Sequence, residues 1–358
     1  MAFDPHREDY ERLGLRLLSS LGDADGLEAQ RAFLSFRRRF AYERDSLPQT
    51  DADRAFHLVA EATQLIDFEL PFALDEEAET IISRAHQLLG EAIALDGQCH
   101  DAIRMEQAAR HPTFEGYYEF LQEGKAEVRA RCEEARDAAL AQQQHERAAL
   151  SANIAMRPYL RWVAMLASKA LICGRNRETL ALVNELLELD PTDAADARFT
   201  GALAYAKLED EAGLDAYQAR CLALPHPRGT DDAWMLLARL ALAHKRLDLA
   251  QARELVARLV ELYPNGAAVL TRQRELPDGV FARLAVAPFS EDELILAISE
   301  GTVLLQEGRD SQLRGSLGSW VMREALALAT PQQREELADV IEALESGKPM
   351  PRWGGDGA

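Results

Sequence analysis

The stretch Leu182–Phe199 reads LVNELLELDPTDAADARF. Leucines at helical spacing run into Asp190-Pro191, and an alanine-rich segment restarts a helix at once. Proline has no N–H to donate and pushes the residue before it out of the helical region, so the first helix ends at Asp190. A second helix-ending proline, Pro225, stands 34 residues further on. A period near 34 is that of a repeating helical hairpin, so the interior of each period is the test.

A first unit spans Leu160 to Pro191. Its helix A is LRWVAMLASKALIC, Gly174 supplies the turn, and helix B is RETLALVNELLELD. Leu180, Val183 and Leu187 form the apolar face of helix B, with Thr179 where a small residue belongs. The second unit, Ala194 to Pro225, places Gly201 and Gly213 where its two helices pack closely, facing each other, with Tyr217 as the large residue between them. Its turn carries Leu208 instead of glycine. The third unit starts near Asp231, has Trp234 and Leu237 three apart, puts Ala250 at the small position and closes at Pro264. One hairpin cannot bury its own apolar face, so about three stacked units are needed for a stable core.

The rest of the chain is helical in pattern as well. Residues 79–108 read as half of a similar device, and 113–150 as a long helical stretch with Phe114, Tyr117, Tyr118 and i to i+4 charge pairs. Ser290 with Glu293, and Thr330 with Gln333, are capping pairs, and Gly347 ends the last helix. The expected organisation is 1–75 N-terminal helical region, 76–156 half-repeat plus long helical segment, 157–264 repeats, 265–347 capping helices and 348–358 flexible tail. Pro71 and the acidic run DEEAE mark the first boundary.

Composition agrees with an all-α chain: 47% of 358 residues are hydrophobic, with only 21 Gly and 14 Pro. The net charge is −20, from 40 Lys plus Arg against 60 Asp plus Glu, which argues against nucleic acid and anionic membranes as partners. Four scattered cysteines without a CxxC pair argue against a disulfide framework or a zinc knuckle. No signal-peptide pattern and no apolar run of about 18 residues is present, so a cytoplasmic location is expected.

MRPYLRWVAMLASKALICGRNRETLALVNELLELDPTDAADARF resembles bacterial tetratricopeptide-repeat proteins of the suppressor-of-tumorigenicity-seven-like group. The residues that carry the resemblance are Arg157-Pro158-Tyr159 as a helix start, Gly174-Arg175 as a turn and Asp190-Pro191-Thr192-Asp193 as a helix end. Leu276-Pro277 and Ser290–Glu293 look like the C-terminal region of that group. The resemblance implies an α-α superhelix, hairpins stacked as a solenoid with extra terminal helices. It also implies interaction with other proteins rather than catalysis.

In such an array the A helices line a concave wall. Counting within each unit places Arg161, Ala164, Ser168 and Leu171 there, then Arg198, Ala202 and Tyr205, then Met235, Arg239 and Leu242. Guanidinium groups bind carboxylates in fork geometry. The expected partner-binding residues are therefore Arg161, Ser168, Arg198, Tyr205, Met235 and Arg239, for a protein or peptide with an acidic segment or C-terminal carboxylate. Against this stands ordinary pairing of the arginines with nearby acids. A second reading uses Phe36–Arg39, in FLSFRRRF, for nucleic acid or a ribosome; its plainer alternative is an amphipathic helix with aromatics inward. His57 and Glu61 are four apart but do not make a metal site. No P-loop, GxGxxG or GxSxG is present, so no cofactor and no catalytic residue is assigned.

Overall fold

The computed structural model describes residues 3–22, 25–142, 145–226, 228–277, 279–308 and 315–346. Among these the regular structure is helical and no strand occurs. The expected helix end at Gly347 and the tail 348–358 lie outside the described residues. The chain divides into two compact units, Met1–Lys169 with Asp278–Arg283, and Ala170–Pro277 with Leu284–Ala358.

The first unit holds α1 (Pro5–Leu21), α2 (Gly26–Tyr42), α3 (Asp51–Thr63), α4 (Asp75–Leu95), α5 (His100–Arg110), α6 (Phe114–Gln142) and most of α7 (His145–Ile172). Asp4 and Asp25 cap α1 and α2, and Thr50 with Asp53 forms a reciprocal box at the start of α3. The core joins Ala55, Phe56 and Val59 of α3 to Leu88, Leu89 and Ala92 of α4 and Ala102 and Met105 of α5. The boundary expected near residue 75 is therefore a joint between packed helices. Pro71 sits in a short 3-10 turn, Leu70–Phe72, that leads α3 into α4. Arg157-Pro158-Tyr159, read as a helix start, lies inside α7, which has already run from His145.

In the second unit α8 (Asn176–Leu189), α9 (Ala197–Lys207), α10 (Glu211–Leu222), α11 (Ala233–Lys245) and α12 (Leu249–Leu262) follow one another. Helix α9 packs between α8 and α11, and α10 and α12 pair with α9 and α11. The turns before α8, α10 and α12 share one geometry. Gly174, Glu209 and Leu247 adopt φ of 76°, 57° and 63°. The next N–H reaches back over the turn each time: Arg175 to Ala170, Asp210 to Tyr205 and Asp248 to Ala243. This is the left-handed helix terminus that glycine adopts freely and other residues only with strain. The positive φ of the second turn falls on Glu209, one residue past Leu208.

Gly201 and Gly213 do pack across one hairpin, but against tyrosines rather than each other. A Cβ on Gly201 would lie 2.5 Å from Tyr217 Cζ, and one on Gly213 would lie 2.6 Å from Tyr205 Cε1. Each helix offers a glycine and, four residues on, a tyrosine, so the two pairs interlock with ring centroids 5.1 Å apart. Phe199 and Trp234, both in the first turn of their helices, stack at 3.9 Å between α9 and α11. Ala250 is exposed, and the buried face of α12 is Ala252, Val256 and Leu259. Asp248 caps α12 and sets that register. Behind the hairpins follow α13 (Gly266–Arg272), α14 (Glu291–Glu300), α15 (Thr302–Leu305), α16 (Ser316–Leu328), α17 (Pro331–Glu336) and α18 (Ala338–Ser346). The capping pairs at Ser290 and Thr330 form as expected.

The interlock sets a measurable contrast. Gly201→Ala drives a methyl into a ring that cannot withdraw, because the Tyr217 hydroxyl donates to the Arg198 carbonyl at 3.2 Å in a buried site. It should cost about 1–3 kcal/mol in a urea titration. Gly90→Ala meets nothing within 4 Å inside α4 and should stabilise by roughly 0.5–1 kcal/mol.

Candidate functional site

Two neighbouring acids at the start of α1, Glu8 and Asp9, are both 1% exposed. A carboxylate is stable in such a place only with cations beside it. Arg161 of α7 supplies the first, 2.8 Å from Glu8 Oε2 and 2.6 Å from Asp101 Oδ2 at the start of α5. Burial alone would raise both acids. Arg161 and Arg12 outweigh it, with Arg157 also acting on Glu8 and Arg104 on Asp101. Glu8 stays below its ordinary value and Asp101 is held at about 2. Arg161 also lies 4.3 Å from the ring centroid of Phe281 and 5.8 Å from that of Phe56.

Asp101 passes the network on. Arg104, one turn later on α5, is fully buried and contacts Asp101 Oδ1 at 3.3 Å. Its two terminal nitrogens donate to the carbonyls of Val280 (2.6 Å) and Phe281 (2.7 Å). From the other side, Asp67 in the π-helical turn Gln64–Glu69 accepts the N–H groups of the same two residues, at 2.9 and 3.4 Å. Burial pushes Asp67 up to about 6, because two backbone donors and the charge of Arg104 offset only part of it. Phe281 is 1% exposed, inside the core of α3, α4 and α5. A strap from late in the chain is thus clamped into the first unit by its backbone.

Asp9 builds a shallower feature. Arg44 forks onto both of its oxygens at 2.5 and 2.7 Å, and His57 Nδ1 lies 3.0 Å from Oδ2. Burial would raise Asp9, but the bonds from Arg44 and His57 hold it below its ordinary value. These residues line a cleft of about 440 Å³ with His6, Phe40, Tyr42 and Ser46. The arrangement orients an imidazole, as a general base requires. The Ser46 hydroxyl in that cleft donates to the Glu43 carbonyl at 2.5 Å and accepts from Arg39 Nε at 3.0 Å. It faces the backbone and Arg39, so no serine–histidine pair forms there.

The six residues expected on a concave wall differ in burial, and only Ser168, Tyr205 and Arg239 are part-exposed. Arg161 and Ser168 belong to the first unit and the other four to the second. Arg161 is 2% exposed and fully engaged with Glu8 and Asp101. Arg198 is 5% exposed, bound to Asp193 at 2.5 Å and to the His226 carbonyl at 2.8 Å. Met235 is core, as are Leu171, Ala202 and Leu242. Ser168, Tyr205 and Arg239 are half-buried, and Arg239 pairs with Asp215 at 2.7 Å. Pairing with acids, the alternative to a carboxylate-reading wall, accounts for all three arginines.

The other expected candidates separate in the same way. Phe36 is core, packed on Tyr10 and Phe40, while Arg37 and Arg38 are exposed. Tyr117 and Tyr118 are buried, leaving Phe114 as the exposed aromatic of the three. His57 turns to Asp9, and no group of three metal-ligating side chains occurs among the described residues. None of the four cysteines is in a disulfide; burial pushes Cys99 up to about 12 and Cys132 and Cys221 up to about 11. No described helix is long and apolar enough to cross a membrane. Comparison with protein-family models, curated proteins and solved structures finds no match.

Two variants check the buried charges. Arg161→Met removes the guanidinium that Glu8 and Asp101 share, leaving Glu8 to Arg12 and Arg157 and Asp101 to Arg104, and should cost about 3 kcal/mol, whereas Arg239→Met, at a pair with exposed Asp215, should cost at most about 1 kcal/mol. Denaturant titration of both reads the contrast directly. For Asp67, the folded value of about 6 exceeds the ordinary 3.8, so the folded chain holds a proton that the unfolded chain has released. Its contribution is most favourable below about pH 4 and is lost as pH rises through about 6. Asparagine keeps one acceptor oxygen, for the Val280 N–H at 2.9 Å, and gives up the longer bond from the Phe281 N–H together with the charge. Asp67→Asn should therefore gain about 1–3 kcal/mol at neutral pH and flatten the stability profile across that window.

Proposed function

We propose that the chain is a non-catalytic interaction protein, a scaffold, adaptor or chaperone that docks a segment of another protein. The outer face of α2 carries the reading. Leu27, Arg31, Leu34, Arg38 and Tyr42 recur at spacings of four, three, four and four, which places them on one stripe of the helix. Leu27 is 57% exposed, Leu34 60% and Tyr42 83%, and Phe36 alone among the residues of α2 is buried. The helix carries four arginines against Glu28 on a chain of net charge −20. An apolar stripe edged by guanidinium groups fits an amphipathic helix with acidic flanks.

The hairpins of the second unit, similar to tetratricopeptide repeats in period and turn geometry, supply a rigid frame in this reading. Their half-exposed Arg239 and Tyr205 are a second docking surface, suited to a carboxylate that displaces Asp215. A nucleic-acid or ribosome role through Phe36–Arg39 uses Arg37 and Arg38. It leaves Leu27 and Leu34 unexplained, and Phe36 is in the core.

A photo-crosslinking side chain at position 34 of the full-length chain should capture a protein with an acidic amphipathic segment from extracts of the source cell. Leu34→Glu with Arg38→Glu should reduce capture at least tenfold with an unchanged circular dichroism spectrum. Nuclease treatment should leave capture intact. Capture abolished by nuclease moves the reading to nucleic acid. Capture that survives the α2 reversal but not Arg239→Glu moves it to the hairpins.

A further inference from the structure

The strap at Val280 and Phe281 is held differently from the helices around it. Helices of the first unit meet through side chains and through single side chain-to-carbonyl bonds such as Tyr117 to Arg104, whereas the strap is gripped by two N–H and two carbonyl groups of its backbone. Its two successive N–H groups converge on the Asp67 carboxylate and its two carbonyls on the Arg104 guanidinium. The groups that meet Asp67 and Arg104 are peptide N–H and C=O groups, which every residue except proline has. Backbone recognition of this kind does not depend on sequence. Selection comes instead from the Phe281 side chain, inserted among Ala55, Phe56, Val59, Leu88 and Leu89 with the Arg161 guanidinium over its ring. The residues on either side, Val280 and Ala282, are only partly buried.

The clamp also has the electrostatics of a receptor. Asp67 and Arg104 are both buried, and each meets the strap's backbone rather than forming a direct ion pair with the other. Arg104 Nε has no hydrogen-bond partner among the described residues, so the guanidinium is aimed at the strap through its two outer nitrogens. Without an occupant, a buried carboxylate and a buried guanidinium would lose most of their donors and acceptors.

From this we infer that the cleft between Asp67 and Arg104 is a peptide-binding site whose resident occupant is the chain's own strap, and that it accepts in trans a bent peptide segment bearing phenylalanine after a small apolar residue. The site is separate from the outer face of α2 and stands or falls without it. In the intact chain the strap is present at very high effective concentration, so an outside peptide enters only where the strap is weakened.

The test uses the full-length chain and a fluorescent synthetic peptide of residues 276–286, LPDGVFARLAV. Phe281→Ala empties the aromatic pocket while keeping the clamp residues. By fluorescence anisotropy this variant should bind the peptide at least tenfold more tightly than the unaltered chain does. A peptide with alanine in place of its phenylalanine should lose at least tenfold. Adding Arg104→Met to the Phe281→Ala chain should lose a similar factor, because the carbonyl clamp is gone. If Phe281→Ala does not fold, the comparison is made on Phe281→Leu, whose melting temperature should rise saturably with the phenylalanine peptide and not with the alanine one. Equal binding of the two peptides, or no binding to either variant, would overturn the proposal.

Discussion

Arg161 lies between Glu8 and Asp101, and the first unit is arranged around that position. Helices α1, α5 and α7 each bring a charge that the interior would reject alone. Together they make a closed set in which every carboxylate has a guanidinium at hydrogen-bonding distance. The set fixes where the three helices meet more sharply than leucines would, because a shift of one turn leaves a charge without its partner. Aromatic rings over Arg161 remove water from the pair and strengthen it.

The second unit achieves its order by shape. Its close approach rests on two glycines and two tyrosines, and its reversals on a left-handed residue at the end of α7, α9 and α11. Only the first of those turns carries glycine. Leu247 adopts the same conformation while 79% exposed, which marks the geometry as imposed by the hairpin rather than chosen by the residue.

Much of this was legible in the sequence and some was not, for physical reasons. The helical hairpins follow from the period of leucines, from Asp190-Pro191 and from the capping pairs, all of which are local. The spacing of Gly201, Tyr205, Gly213 and Tyr217 announces close packing, though not that glycine would meet tyrosine. The register of α12 went astray at Ala250 because Asp248, a cap, resets the helix start. The wall of arginines failed for a different reason. A guanidinium on a helix face reads the same whether it meets solvent or a buried acid, and Glu8 and Asp101 are 153 and 60 residues away from Arg161. Asp67, Arg104 and the dipeptide Val280-Phe281 carry no sequence signal at all, since the clamp acts on peptide groups that every residue except proline has.

That clamp has a consequence for how the protein is made. Val280 is 213 residues from Asp67 and 176 from Arg104 along the chain. A ribosome delivers the helices of the first unit well before it delivers the strap. At about 5–20 residues per second the wait is on the order of ten seconds, long compared with helix formation or collapse. Until then Asp67 and Arg104 lack the backbone groups they bind in the folded unit, and the place of Phe281 in the core is unfilled. The helices of the first unit are therefore synthesised ahead of the second unit, but the first unit is completed only when the strap arrives. The newborn chain spends that time without the strap in place, the period in which a chaperone or a strap from a second nascent copy can reach it first.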